Sequence, residues 1–97
     1  MGNTMTGTAQ AETLDRTVRA LWDVLDAMAK DISQAWREEM LWQIGRLAGA
    51  LTVVDGSRAH GVAGMPLDEG LVSVWVFDAR TCMDRVKRDP HGVPWLD

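Results

Sequence analysis

Leu71-Val72-Ser73-Val74-Trp75-Val76-Phe77 is a run of β-branched and aromatic residues, and its reading decides the fold. Such residues favour strands because they pack well on a pleated surface. Apolar on both faces except at Ser73, the run reads as a strand covered on two sides, or covered on one and open on the other. Arg58–Met65 is its expected partner, reached through Pro66-Leu67-Asp68-Glu69-Gly70, whose Pro and Gly suit a hairpin connection. Gly61 and Gly64 weaken that partner, which leaves Leu51–Val54 as the alternative. Asp78 then stands where a helix N-cap would. Ala79–Arg88 reads as a short helix with its basic end at the C-terminus, as the helix dipole prefers, and Asp89-Pro90 ends it. The tail His91–Asp97 reads as extended, with Trp95 pinned to the body.

Upstream of this stretch the pattern is helical. From about Ala11, Leu14, Val18, Leu21, Leu25, Met28 and Ile32 follow one another at spacings of four and three, a heptad seam flanked by Trp22 and Ala29. Asp15–Arg19 and Asp26–Lys30 stand at i,i+4 on the polar side, acid first, which is the better orientation. A second stripe, Trp36, Met40, Ile44, Leu47 and Leu51, covers about 80° of a helical wheel and is out of phase with the first. Asp31 with Gln34 fits a capping box, so a new helix can begin near residues 30–34. No Gly or Pro separates the stripes, and one long bent helix is the alternative. A helix of about 40 residues would run ~60 Å, more than one small domain covers alone.

Ninety-seven residues, 46% apolar and 25% charged, amount to one core and no second domain. Residues 1–10 read as a flexible N-terminal arm and 11–97 as a single domain. The first ten residues lack the basic start and apolar centre of a secretory signal, and no apolar run approaches the ~20 residues of a bilayer span. The one cysteine, Cys82, excludes an internal disulfide and points to a reducing cytoplasm. A net charge of −4 disfavours nucleic acid, which calls for a clustered basic footprint. Only Arg80, Arg85, Lys87 and Arg88 come near one, with Asp84 and Asp89 among them.

Each chemical motif has a plainer reading beside it. Cys82 and Arg88 bracket five residues, the outline of a phosphate-binding loop with a cysteine nucleophile. No Gly lies between them to let the backbone curl, and Asp84 would oppose a phosphate, so Cys82 reads as a buried, inert thiol. His60 and His91, with Cys82 or Asp78, form no recognised metal spacing, and Glu38-Glu39 has no Glu-x-x-His companion. Ser33, Ser57 and Ser73 have no activating context. No cofactor is expected.

Two features ask for more than packing. Gly45, Ala48 and Gly49 lie close together on the second helix, where each Gly costs about 1 kcal/mol relative to Ala. They let two backbones approach, inside the fold, against the strand pair, or across a dimer. Trp42 falls about 200° from the centre of the Trp36–Leu51 stripe, beside Ala35, Glu38, Arg46 and Gly49. A Trp on the polar side of a helix suits an interface anchor.

The fold expected from these readings is α+β and mainly helical: two N-terminal amphipathic helices or one bent helix, a β-hairpin, and a short C-terminal helix. The expected function is a small, non-catalytic protein-binding module acting as adaptor, accessory subunit or inhibitor, with Trp42, Glu38, Arg46, Gly45 and Gly49 at the interface. A homodimer is expected, because the two apolar helical stripes exceed what a hairpin can cover. The alternatives are an inhibitor of the kind phages and mobile elements encode, anti-CRISPR proteins among them; a small enzyme or ligand-binding domain with a Trp-lined pocket using Asp78, His60 or Cys82; and a dimeric transcriptional regulator built on Arg80, Arg85, Lys87 and Arg88.

Overall fold

The computed structural model of the chain describes residues 7–55 and 67–95. Three helices make up its regular structure: α1 (Gly7–Met28), α2 (Gln34–Asp55) and α3 (Glu69–Arg88). Among the described residues there is no strand, so the α+β reading is overturned in favour of an all-α fold.

The correction turns on the segment that reads as β. Leu71–Phe77 and Ala79–Arg88 belong to one continuous helix, and Asp78 lies in its middle rather than at its start. The N-cap is Asp68, whose Oδ2 accepts from the Leu71 amide at 3.0 Å while its carbonyl accepts from the Val72 amide at 3.1 Å. Glu69 adds negative charge to the first turn. Leu67 and Val72, at N′ and N4, occupy the positions of a hydrophobic staple, with Val72 in the core cluster and Leu67 packed against it. The expected hairpin connection is therefore a helix entry. Of the expected partner strands, Arg58–Met65 lies outside the described residues and Leu51–Val54 is the last turns of α2.

Energetics explain why helix wins. A β-former in a helix loses at most ~0.7 kcal/mol of propensity, whereas burying a Val contributes roughly 1.5–3 kcal/mol. As a helix the segment points Val72 and Val76 inward and continues the row through Ala79, Met83 and Val86, all buried. Those positions are spaced four, three, four and three, a seam like that of α1. As the sequence indicated, the helix ends at Asp89-Pro90, with the Asp89 amide bonded to the Arg85 carbonyl at 2.9 Å and Arg85, Lys87 and Arg88 in the last turn.

α1 and α2 are separate helices joined by a tight turn, with the Asp31 amide bonded to the Met28 carbonyl at 2.8 Å. α2 is capped by Ser33 rather than by an Asp31–Gln34 box. The Ser33 hydroxyl accepts from the Trp36 amide at 3.2 Å and its carbonyl from the Arg37 amide at 3.0 Å. Both sequence stripes are inside. Leu14, Leu21 and Leu25 of α1 and Trp36, Met40, Ile44 and Leu47 of α2 are buried, with Val18, Met28, Ile32 and Leu51 packed partly against them. α1 begins at Gly7, earlier than its periodicity, and Gln10 is buried in its first turns.

Two clamps tie α3 to α1 and α2. At its N-terminal end, the Gln10 side chain donates to the Leu67 carbonyl at 2.8 Å and accepts from the Leu67 amide at 2.9 Å. At its far end, the Ser33 amide and hydroxyl donate to the carbonyls of Pro90 and Gly92, at 2.8 and 2.7 Å. The Trp36 indole donates to the Asp89 carbonyl at 2.9 Å. Thus α3 runs parallel to α1 and antiparallel to α2. Trp36, not Trp95, is the tryptophan that pins the tail: Trp95 is 74% exposed.

Candidate functional site

The outer flank of α2 carries Ala35, Glu38, Glu39, Trp42, Arg46 and Gly49 at helical spacing, and α3 brings Trp75 and Asp78 against it. Arg46 is the hub. Its guanidinium lies 4.4 Å from the centre of the Trp42 ring and 4.9 Å from that of Trp75. One terminal nitrogen donates to Gln43 Oε1 at 3.0 Å and stands 3.6 Å from Asp78 Oδ2. Each cation–π contact contributes about 0.5–1 kcal/mol, more where water is excluded. The Asp78 carboxylate is half exposed, which limits that ion pair to below about 1 kcal/mol. Arg46 Nε is buried and has no hydrogen-bond partner among the described residues, so stacking holds it more than hydrogen bonding does.

Of the five residues expected at an interface, Trp42, Glu38 and Arg46 share this flank. Trp42 is 57% exposed, one face against Arg46 and the rest facing outward. Glu38 is exposed and accepts from the Gln34 side chain at 3.2 Å. Gly45 and Gly49 are exposed, and a Cβ added to either would meet nothing within 4 Å. They mark no close backbone approach inside this fold, and there is no strand pair for them to cross.

Two adjoining clefts open on this side and share Glu39 and Pro94. The smaller, of 200 Å³, is lined by Trp36, Glu39, Gln43, Phe77, Asp78, Thr81, Cys82, Arg85 and Pro94. The larger, of 440 Å³, is lined among the described residues by Trp42 and Trp95, with Ala35, Glu38, Glu39 and Pro94. Phe77 is exposed at the edge of the smaller one.

No family model, curated protein or solved structure matches this chain.

The smaller cleft does gather Asp78 and Cys82 beside Trp36, the polar set required of a small enzyme; His60 lies outside the described residues. The thiol is a poor nucleophile there. Its pKa is pushed up to about 11, by burial first and by Glu39 second, with Arg85 only partly offsetting them. Residues Cys82 to Arg88 are helix interior, their amide N–H groups bonded to preceding carbonyls rather than turned toward a phosphate. Arg80 lines a groove against α1, with Thr13, Val72, Ser73, Val76 and Phe77, whereas Arg85 lines the α2–α3 cleft. Arg80 and Arg85 thus lie on different sides of α3. Among the described residues no three metal-ligating side chains cluster, and no helix is long and apolar enough to cross a membrane.

Trp75, Glu39 and Trp95 are the site residues that sequence reasoning missed. Trp75 precedes Asp78 by three, a helical neighbour, but only once the segment is read as helix. Glu39 and Trp95 come to one wall through the path of the tail, for which the sequence gives no signal.

Proposed function

We propose that this chain is a non-catalytic protein-binding module, an adaptor, accessory subunit or inhibitor, that docks through the α2–α3 flank centred on Trp42. The observation that carries the reading is the grouping of half-exposed and exposed aromatic residues, Trp42, Trp95 and Phe77, around two clefts with charged walls. Aromatic anchors ringed by polar groups are the usual composition of binding hot spots. The high pKa of the only cysteine supports a structural role for it over a catalytic one. A free thiol in a reducing, cytoplasmic setting fits the same reading. In its homodimeric form the partner is a second copy meeting the same flank.

Affinity capture from native-host lysate, with light scattering on the isolated chain, tests this. Immobilised wild type should retain a partner that Trp42→Ala loses and Trp22→Ala keeps, since Trp22 is an exposed tryptophan on α1. Self-association should appear as a mass near twice 10.7 kDa that Trp42→Ala returns to the monomer value. Capture or self-association indifferent to Trp42→Ala would contradict the proposal.

A further inference from the structure

The outer face of α2 is uncharged and notched. Between Glu38 and Asp55 its exposed residues are Leu41, Trp42, Gly45, Gly49, Thr52 and Val53. At 100° per residue they form one stripe about 140° wide, with half-buried Ala48 at its edge. Gly45 and Gly49 weaken the helix relative to Ala, yet a Cβ on either would meet nothing within 4 Å, so the packing among the described residues does not require them. A glycine notch in a helix is what a close approach by another backbone requires. A separate observation is where apolar side chains are left uncovered. Among the described residues Trp22 is the only large one exposed on α1, whereas Leu41, Trp42 and Val53 on α2 and Leu71, Val74 and Phe77 on α3 are all exposed. Exposed apolar surface concentrated in this way marks an interaction site.

We propose that a second copy of this chain covers this face, the two α2 helices packing antiparallel about a twofold axis that passes between Arg46 and Leu47. The stripe is complementary to itself in that arrangement, as an isologous contact requires. Leu41 of each copy meets Thr52 of the other, Gly45 meets Ala48, and Trp42 fills the notch at Gly49 beside Val53. Bulk at one end is set against small residues at the other, whereas a parallel pair would set Trp42 against Trp42 and Glu38 against Glu38. The area is what a dimer needs. The 22 residues of α2 span about 33 Å at a helix width of ~10–12 Å, so its face offers roughly 330–400 Å². The 20 residues of α3 add roughly 300–360 Å² on the same reckoning, and the sum approaches the ~800 Å² per partner of a stable interface. α3 is placed to contribute. It runs antiparallel to α2 with Asp78 beside Arg46, which puts Leu71 and Val74 level with the Gly49–Val53 end, where Trp42 of the second copy docks. The partner of the protein-binding reading, on which this rests, thereby becomes a second copy.

Sedimentation equilibrium of the full chain, from nanomolar to tens of micromolar, tests the pairing. Wild type should pass from monomer to a mass near twice 10.7 kDa. Gly49→Leu fills the notch at a position with open space around it, so it should keep the helical circular dichroism and weaken the dimer at least tenfold. Gly49→Ala separates docking from folding: where the chain is monomeric it should melt above wild type, while its dimer should be at least threefold weaker. Disulfide trapping reads the orientation, because the bond forms only between Cα atoms within ~7 Å. Leu41→Cys and Thr52→Cys chains, with buried Cys82 left in place, should cross-link when mixed and oxidised, and neither should do so alone. A monomer at every concentration, a dimer unmoved by Gly49→Leu, or cross-linking of either variant alone would overturn the antiparallel pairing. Any of these with Trp42-dependent capture of another protein would leave the protein-binding reading standing. A Trp42→Ala chain that loses neither dimer nor capture would contradict both.

Discussion

The two flanks of α2 are built from different materials. Toward α1 it presents an aliphatic seam, Met40, Ile44 and Leu47, in one core cluster with Leu14, Leu21 and Leu25 of α1. Toward α3 the contact is thinner, and its edge is populated by Arg46, Trp75, Gln43 and Asp78. The first flank is buried and aliphatic, and the polar Thr17 near it on α1 is satisfied within its own helix by the Thr13 carbonyl. The second keeps charges at the surface, stacks a guanidinium between two indoles and leaves Glu39 Oε2 without a donor among the described residues. Stability and recognition make opposite demands on a surface, and the side of α2 proposed for recognition is the one not committed to the core. An outward-facing Trp adds little to a core, and it is the kind of residue that anchors an interface.

That contrast can be broken by substitution. The largest effect is expected at Leu21→Ala, where a fully buried side chain leaves a cavity in the aliphatic seam: about 2–5 kcal/mol lost in urea unfolding. Gln10→Ala should follow, at about 1–3 kcal/mol, because it orphans the Leu67 amide and carbonyl and loosens the clamp holding α3 to α1. Amide exchange of the first turns of α3 should rise with it. Gly45→Ala and Gly49→Ala should each raise stability, by about 0.5–1 kcal/mol, since both positions are helical and open around the new methyl group. A thermal melt checks the sign; a loss instead would show that something covers these glycines. The smallest change is expected for Asp78→Asn, roughly 0.2–1 kcal/mol, and it should shrink further in high salt as an exposed pair does.

The same contrast explains what the sequence disclosed. The aliphatic seams are periodic, and periodicity survives in a one-dimensional string: Leu14 to Ile32 and Trp36 to Leu51 lie inside or against the core as their spacing indicates. The α3 seam, Val72, Val76, Ala79, Met83 and Val86, has the same period. It was masked by the β-branched and aromatic composition of Leu71–Phe77, a local preference worth tenths of a kcal/mol per residue against burial worth more. Pro66 and Gly70 suggested a turn where Asp68 caps a helix. Trp42 could be placed off the core by its wheel angle alone. Its companions could not, because Trp75 depends on the helical register of α3, and Glu39 and Trp95 meet only after the residues beyond Asp89 fold back over the start of α2.

Paired urea unfolding of Trp36→Ala and Trp42→Ala tests most directly whether Trp42 stands at the surface while Trp36 belongs to the core. Trp36 is 2% exposed and ties the tail through the Asp89 carbonyl. Its truncation should cost about 3–5 kcal/mol, as aromatic core deletions do. Trp42→Ala gives up one stacking contact with Arg46 and a partly covered ring, so its loss should stay near ~1 kcal/mol. Equal losses in the two variants would contradict the account, because Trp42 would then belong to the core it is said to stand outside.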